Sequence, residues 1–167
     1  MAAIFRAVFV KFATMQSFSQ IYIMSVFGVK YRDGVINPLW REKLFACIGQ
    51  TLKGIDGVMP IAIGGIEDHV HVFYSTKGNV ADAEIVRKIK TESSLLVNSN
   101  RLTKCRFAWQ RGGARISYSH SAVPLVKRYI ETQVEHHKNM NFRQEYELML
   151  RKLGHDVSIY DIPEELI

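Results

Sequence analysis

The segment VMPIAIGGIEDHVHVFYS, residues 58–75, contains two runs of strand-forming residues separated by a short turn. The first run ends at Gly65 and the second begins at His69. Residues with β-branched or aromatic side chains are enriched in strands, and so short a connection joins strands that run antiparallel. The segment therefore predicts an antiparallel hairpin.

A strand and a helix precede this hairpin. Residues 20–30, QIYIMSVFGVK, are rich in β-branched and aromatic side chains and run into the turn signal YRDG, so they predict a strand. Asn37 followed by Pro38 predicts the start of a helix with asparagine as its N-cap. The helix is expected to end at Gly54, and its apolar residues recur at helical spacing: Trp40, Leu44, Ile48 and Leu52.

A second helix and two more strands are predicted after the hairpin. Residues 104–110, KCRFAWQ, and 114–119, ARISYS, predict strands on either side of a glycine-rich turn. Asn79 is the expected N-cap of the helix before them. The apolar stripe of that helix is expected to comprise Val86, Ile89, Ser93 and Leu96.

Two further helices complete the order of elements. Ser121 is the expected N-cap of a helix over residues 122–139, and Asn141 is that of a last helix ending at Gly154. The order is β-α-β-β-α-β followed by an added strand and two helices, and its first six elements match the split βαβ arrangement. We therefore predict an α+β, ferredoxin-like fold, an antiparallel sheet with helices on one face plus a C-terminal helix that carries a tyrosine.

Length and composition predict one globular domain. The chain has 167 residues, 47% of them hydrophobic and 23% charged, which is typical of soluble proteins. No apolar run approaches the roughly 20 residues that cross a bilayer. We place the domain at residues 15–154 and regard residues 155–167 as a tail. Residues 1–14 are expected to be an extension of unclear role or a start set too early, since Met15 begins the first interpretable stretch.

Cysteine content and charge indicate the compartment and the partner. Cys47 and Cys105 lack metal-type spacing, so we expect reduced thiols in a cytoplasmic protein. Twenty-two Lys and Arg against 16 Asp and Glu give a net charge of +6. A basic balance favours a polyanionic partner, most often nucleic acid, although many basic proteins bind none.

His69 and His71 are the first candidates for chemistry. Residues i and i+2 of a strand point to the same face, roughly 7 Å apart along the backbone, so both imidazoles can converge on one divalent ion. The alternative is a pair of histidines on a half-buried sheet, each with a local hydrogen-bond partner. The motif alone leaves both interpretations open.

The helix predicted over residues 122–139 favours the interpretation of His69 and His71 as metal ligands. Its apolar stripe comprises Val123, Val126, Ile130 and Val134, and an adjoining stripe comprises Tyr129, Gln133, His136 and His137. If this helix packs on the face that carries the two histidines, these polar groups meet. An ordinary amphipathic helix with a tyrosine at its border is the alternative. His136 and His137 are expected to support the site or lie on the surface.

Such a grouping suits phosphodiester chemistry. A metal held by two imidazoles and one amide oxygen keeps open positions, and it can act as a Lewis acid on a phosphate oxygen. A tyrosine hydroxyl can then attack the phosphorus and form a covalent intermediate.

The motifs together resemble a known family. EDHVH leads into a strand and is followed by VKRYIETQVEHH; QIYIMSVFGVKYR, REKLFACIGQTLK, VRKIKTESS and FAWQRGG occur in the family's order. The chain resembles, over residues 17–153, the single-tyrosine HUH transposases of small insertion sequences that move as single-stranded DNA. Many relatives have a histidine in the first strand where this chain has Met24.

The resemblance implies a complete set of catalytic roles. It implies that His69, His71 and Gln133 bind Mg²⁺ or Mn²⁺ and that Tyr129 forms a 5′-phosphotyrosine link. It also implies a homodimer that binds hairpins at the element's ends, with the tyrosine helix in some relatives completing the partner's site. Two alternatives stay open: a domesticated relative that binds or nicks repeated hairpins without mobilising an element, and a non-catalytic module that binds single-stranded nucleic acid.

Basic and aromatic residues are candidates for DNA contacts. On the second helix, Arg87, Lys90, Thr91 and Ser94 fall together and suit phosphate binding, although a solvated helix face is the alternative. Four further positive charges lie beside turns: Lys30, Arg32, Arg111 and Arg115. Trp109 and Tyr118 can stack on unpaired bases, and Trp109 suits the core equally well.

Overall fold

The protein was analysed as a computed structural model that describes residues 18–156. The strands are β1 (Ile21–Gly28), β2 (Val58–Gly65), β3 (His69–Thr76) and β4 (Ala114–Tyr118). The helices are α1 (Pro38–Lys53), α2 (Asp82–Ser99), α3 (Val123–Glu131), α4 (Gln133–His136) and α5 (Phe142–Lys152). The predictions for residues 1–14 and 157–167, and for the side chain of Arg32, lie outside what is described.

The four strands form one antiparallel sheet in the order β2-β3-β1-β4. The predicted hairpin is confirmed, and so is the α+β fold of the ferredoxin-like type. The register places His71 opposite Val26 on β1 and Gly64 on β2, and it places His69 opposite Gly28. Both histidines therefore lie on a central strand, with a neighbour on each side.

The two faces of the sheet bury different cores. Helices α1 and α2 cover one face, where Val70, Val72 and Tyr74 point from β3. The intervening residues of β3 point to the opposite face, where Phe73 packs under α3 and α5. The helices that the sequence predicts on one face are therefore α1 and α2, and the tyrosine-bearing helix lies on the other.

Helix α2 begins later than predicted. Its N-cap is Ala81, and the side chain of Asn79 instead donates to the backbone and side-chain oxygens of Asp56, both at 3.2 Å. Ile89 and Ser93 are buried as predicted, but Ile85 and Val97 complete the stripe in place of Val86 and Leu96. The prediction of Asn79 as a helix cap was wrong because that residue is used in a long-range turn contact.

Residues 104–110 do not form the predicted strand. Only an isolated bridge pairs Val29 with Trp109 among the residues described. The side chain of Asn98 on α2 bonds both backbone groups of Phe107, donating to its oxygen at 2.9 Å and accepting from its nitrogen at 2.8 Å. The side chain of Asn98 thus makes the hydrogen bonds that the backbone of a neighbouring strand would otherwise make with Phe107.

The single helix predicted over residues 122–139 is interrupted at Thr132. The backbone of Thr132 leaves the helical region at φ −102° and ψ 16°, and its hydroxyl donates to the oxygen of Arg128. Such local bonds from threonine compete with helical ones. Ser121 is not the cap, since Ala122 precedes α3. The last helix begins as predicted, with a capping box formed by Asn141 and Gln144.

Candidate active site

The face of β3 that α3 covers carries both histidines of the HVH motif. His69 and His71 are both fully buried, and their ring centroids lie 5.0 Å apart. The Nδ1 atom of His69 donates to Asp68 at 2.7 Å, which directs Nε2 into the protein. Burial disfavours the imidazolium form of His69, but the carboxylates of Asp68 and Glu145 favour it more strongly, so the pKa of His69 is raised.

His71 has the opposite electrostatic character. Burial lowers its pKa to about 4, so the ring is neutral near pH 7. Neither ring nitrogen of His71 has a hydrogen-bond partner among residues 18–156, and Nε2 of His69 has none either. A neutral imidazole with an unpaired nitrogen is the form that binds a transition metal.

A close approach of α3 to the sheet brings the tyrosine to the histidines. A Cβ atom at Gly64 would lie 2.4 Å from the backbone oxygen of Ile130, so only glycine permits this contact without displacement. Because Gly64 pairs with His71 across the sheet, α3 passes directly beside that histidine. The ring of Tyr129 is 5.8 Å from the ring of His71, and Gln133 at the start of α4 is buried.

The sequence analysis missed a carboxylate that connects these groups. Glu145 on α5 is only 1% exposed. Its Oε1 atom accepts from the hydroxyl of Tyr129 and, at 3.0 Å, from Nε2 of Gln133. Its Oε2 atom lies 3.4 Å from Nε2 of both His69 and His71. A readable signal existed, because Glu145 falls three residues after Phe142, on the inward stripe of the helix.

His137 also enters the cluster, whereas His136 lies at its border. Nε2 of His137 is 3.1 Å from Oε2 of Glu145, and its Nδ1 donates to the oxygen of Met140 at 2.7 Å. Nε2 of His136 is 3.9 Å from Oε1 of Glu145, and the side chain is 30% exposed. His137 therefore lies against the carboxylate of Glu145, and His136 lies further from it.

The donor set fits a divalent metal ion. One ligand atom from each of His69, His71, His137 and Glu145 lies within 4.8 Å of all the others. Ligands about 2.1 Å from an octahedral ion are roughly 3 to 4.2 Å apart, so small side-chain adjustments suffice. The Oε1 atom of Gln133 is buried and has no hydrogen-bond partner within the described part of the chain. This oxygen is therefore a candidate for an additional ligand.

The same contacts determine the protonation of Tyr129 and Glu145. Burial raises the pKa of the Tyr129 hydroxyl, and the neighbouring carboxylate of Glu145 raises it further, well above the ordinary value. Burial alone would raise the pKa of Glu145, but His137, His69 and His71 outweigh that effect and hold it well below its usual range. The phenol is therefore protonated and the carboxylate ionised.

The described residues among those predicted to contact DNA lie around two adjoining surfaces. Lys30, Arg87, Lys90 and Ser94 line a groove between α2 and the 102–109 segment, together with Tyr31, Lys104 and Arg106. Arg111 and Arg115 line a smaller cavity next to it, which Arg87 and Lys90 also border.

Several of these charges already have partners within the protein. Nζ of Lys90 donates to the backbone oxygens of Gln110 and Gly112, and burial together with Arg115 lowers its pKa to about 8. Arg87 pairs with Glu84 at 2.8 Å, and Arg115 lies 3.3 Å from Asp82. Lys90 is thus a half-buried positive charge at the junction of both surfaces.

The two aromatic candidates for stacking differ in position. Trp109 is buried and its Nε1 donates to the hydroxyl of Ser93 at 2.8 Å, so it belongs to the core. Tyr118 is half-buried, and its ring packs against Phe73 with the centroids 6.1 Å apart. Tyr31, which the sequence analysis did not select, is more than half exposed in the groove.

Comparison with known proteins identifies the family. Residues 17–133 match the family model described as "Transposase IS200 like". The match spans more than half of the chain, including the HVH motif, Tyr129 and Gln133, and the chain therefore belongs to this family of transposases. Curated protein sequences provide no significant match.

Two solved structures share the fold. One is a crystal structure of a protein from Deinococcus radiodurans, provisionally described as a transposase, with a TM-score of 0.57 and 16% identity over 70% of this chain and 93% of that one. The other is a REP-associated tyrosine transposase bound to a REP hairpin, with a TM-score of 0.54 and 14% identity over 72% and 71% of the two chains. At these identities the likeness concerns the fold. No helix in residues 18–156 has the length and apolar character needed to cross a membrane.

Proposed function

We propose that this transposase cleaves and rejoins single-stranded DNA through a covalent 5′-phosphotyrosine intermediate at Tyr129. The observation that carries the proposal is the convergence of Tyr129 and Gln133, from α3 and α4, on His69 and His71 of the sheet. Family membership supports a DNA-cleaving enzyme, and the donor set supports a divalent metal, which we propose to be Mg²⁺ or Mn²⁺.

The chain's own residues account for the steps of cleavage. The Oη atom of Tyr129 attacks a backbone phosphorus, the O–P bond forms, and the bond from phosphorus to the deoxyribose 3′-oxygen breaks. The hydrogen bond to Glu145 orients the hydroxyl of Tyr129 for attack. The hydroxyl proton passes to water as the O–P bond forms, and the 3′-oxygen takes up a proton from water and departs as a hydroxyl. When bound by His69, His71 and Gln133, the metal would supply Lewis-acid polarisation of the phosphate. Rejoining is the reverse attack, by a 3′-hydroxyl on the phosphotyrosine.

We propose that DNA lies along the groove beside α2. The groove carries Lys30, Lys90 and Ser94, which supply cations and a hydroxyl for phosphate contacts. Glu67 also lines it, two residues before His69 begins β3, so the groove reaches the end of the sheet where the metal ligands are. We extend the proposed contacts to Arg87, Arg111 and Arg115 of the two surfaces and, on the sequence prediction alone, to Arg32.

We also propose hairpin DNA as the substrate and a homodimer as the assembly. The structurally similar REP-associated transposase is bound to a hairpin, which supports a partner of this kind. In the single chain described, Tyr129 lies beside its own His71, so this arrangement is in cis. A site completed by the partner subunit would require α3 to leave Gly64 and pack on the other subunit.

A denaturing gel tests the proposed chemistry. The protein is mixed with single-stranded hairpin DNA from the sequence flanking its own gene, with Mn²⁺ or with chelator. We expect a metal-dependent band at the combined mass of protein and DNA. If no such band forms while the protein still shifts the DNA on a native gel in chelator, the chain is a binding module and the proposed chemistry is wrong.

A further inference from the structure

We propose that Glu145 of α5 is a protein ligand of the metal ion, so that the site includes a carboxylate from the last helix. This inference rests on the proposed function and adds a ligand that follows neither the HVH motif nor the tyrosine helix. It makes α5 part of the metal site, and it links the ion and the nucleophile through one side chain.

The two oxygens of Glu145 have different neighbours. Oε1 faces the hydroxyl of Tyr129 and the amide of Gln133. Oε2 faces three imidazole nitrogens, at 3.4, 3.4 and 3.1 Å from His69, His71 and His137. Spacings of this size separate adjacent ligand atoms around one octahedral ion, for which about 3 Å is expected. The carboxylate can therefore bind an ion through Oε2 while Oε1 keeps the hydroxyl of Tyr129.

Burial supports a cationic partner for this carboxylate. A carboxylate removed from water is costly unless it is paired with a positive charge or coordinates a metal. Glu145 is 1% exposed, and its ion-pair partners within residues 18–156 are histidines, with no lysine or arginine among them. A divalent ion between Oε2 and the imidazoles would supply that charge and would also occupy the unpaired nitrogens of His69 and His71.

Neighbouring contacts hold α5 and His137 in place for this role. The ring of Phe142 packs 4.2 Å from the ring of His69, and the capping box at Asn141 defines where α5 begins. The bond from Nδ1 of His137 to the oxygen of Met140 leaves Nε2 as its free nitrogen toward Glu145. A metal-binding histidine usually donates its other ring nitrogen in this way. His137 is accordingly placed as a companion ligand.

Direct measurement of metal binding without DNA tests the inference. Mn²⁺ is titrated into wild-type protein, Glu145→Gln and Glu145→Asp, by calorimetry and by the loss of the free-Mn²⁺ electron paramagnetic resonance signal. Glu147→Gln is the matched control, because it makes the same substitution on the same helix. Glu147 accepts a hydrogen bond from Arg143 and is not part of the cluster. Thermal melting in chelator establishes that each variant is folded.

We expect Glu145→Gln to weaken Mn²⁺ binding at least tenfold, about 1.4 kcal/mol. Glu145→Asp should retain more affinity than Glu145→Gln because it keeps a carboxylate, and Glu147→Gln should match the wild type. A folded Glu145→Gln protein that binds Mn²⁺ within twofold of the wild type overturns the inference. So does a wild-type protein that binds no Mn²⁺ until DNA is added. Neither result would test the tyrosine chemistry, which the covalent protein–DNA band on the denaturing gel tests separately.

Discussion

The hydroxyl of Tyr129 donates to the carboxylate of Glu145, which lies 16 residues further along the chain on a different helix. The same carboxylate lies within 3.4 Å of both histidines of the HVH motif. Glu145 is therefore the residue through which the proposed nucleophile and the proposed metal ligands are connected. The site depends on α3 and on α5 packing together over one face of the sheet.

Replacement of Tyr129 by phenylalanine should abolish the covalent protein–DNA band and leave DNA binding within about twofold of the wild type. The substitution removes the nucleophilic oxygen but keeps the ring against His71. The lost hydrogen bond to Glu145 should cost about 1 kcal/mol of stability. Denaturing and native gels with the same hairpin DNA separate the two effects.

Tyr22→Phe is the matched control for this change. Its hydroxyl bonds Nδ1 of His120 at 2.7 Å and makes no contact with Glu145. We expect this variant to form the covalent band normally. A Tyr129→Phe protein that still forms the band would mean that a different residue is the nucleophile.

Mn²⁺ should stabilise the wild-type protein and should not stabilise His71→Ala. A ligand that binds only the folded state at 100 times its Kd adds about 2.7 kcal/mol, which raises the Tm of a chain of this size by several degrees. His71→Ala removes an imidazole from the centre of the ligand set, so both the Tm increase and metal-dependent cleavage should be lost.

Thermal melting in Mn²⁺ and in chelator measures this effect. His155→Ala is the control, since His155 is exposed beyond the end of α5. We expect it to keep the full Tm increase. An equal increase in His71→Ala and in the wild type would show that the stabilising ion binds elsewhere.

Lys90→Ala should weaken DNA binding and reduce the slope of log affinity against log salt by about one. Lys90 lies where both basic surfaces meet, and one phosphate contact accounts for a change of this size. Lys88→Ala is the control, because Lys88 is exposed on the same helix and lines neither surface. An unchanged slope for Lys90→Ala would remove this residue from the interface.

The lowered pKa of Lys90 predicts a pH dependence of DNA binding. With a pKa of about 8 the amine is charged at pH 7 and largely neutral at pH 9.5, so wild-type affinity should fall between these values. Lys90→Arg stays charged and should lose less affinity over the same range. In the free protein, the contribution of Lys90 to the free energy of unfolding should rise between about pH 8 and pH 10.5, because the folded state releases this proton before the unfolded state does. Identical pH profiles of binding for the two proteins would contradict this role.

Local sequence signals predicted much of the fold. The hairpin, the caps at Asn37 and Asn141 and the alternation that places His69 and His71 on one face each depend on a few neighbouring residues, and each is confirmed. The structure differs where a side chain forms a long-range contact. Asn79 bonds Asp56 across 23 residues instead of capping α2. Asn98 replaces the expected strand partner of residues 104–110.

The candidate site was also predictable only where local sequence signals specify it. Tyr129 and Gln133 follow from helical spacing and from the family resemblance. Glu145 required knowledge that α5 crosses the histidine face, which no local pattern specifies. Its place on the inward stripe after Phe142 was visible, but a glutamate there is ordinarily exposed. Its burial follows from the packing of α5 over the histidines, which is a property of the whole fold.

Gly64→Ala should separate catalysis from DNA binding without changing any proposed ligand. The added methyl group would lie 2.4 Å from the backbone oxygen of Ile130, so α3 must move away from the sheet. Tyr129 precedes Ile130 and moves with it, whereas the basic groove lies on the other side of the sheet. We expect a loss of about 1–3 kcal/mol in stability and a covalent band reduced at least tenfold, with DNA affinity nearly unchanged.

Gly49→Ala is the control. Gly49 lies in α1, and its added methyl group would meet Ile63 at an ordinary contact distance of 3.5 Å. A Gly64→Ala protein that cleaves like the wild type would show that Tyr129 does not require the close packing of α3 on Gly64. That result is expected if α3 acts on the partner subunit.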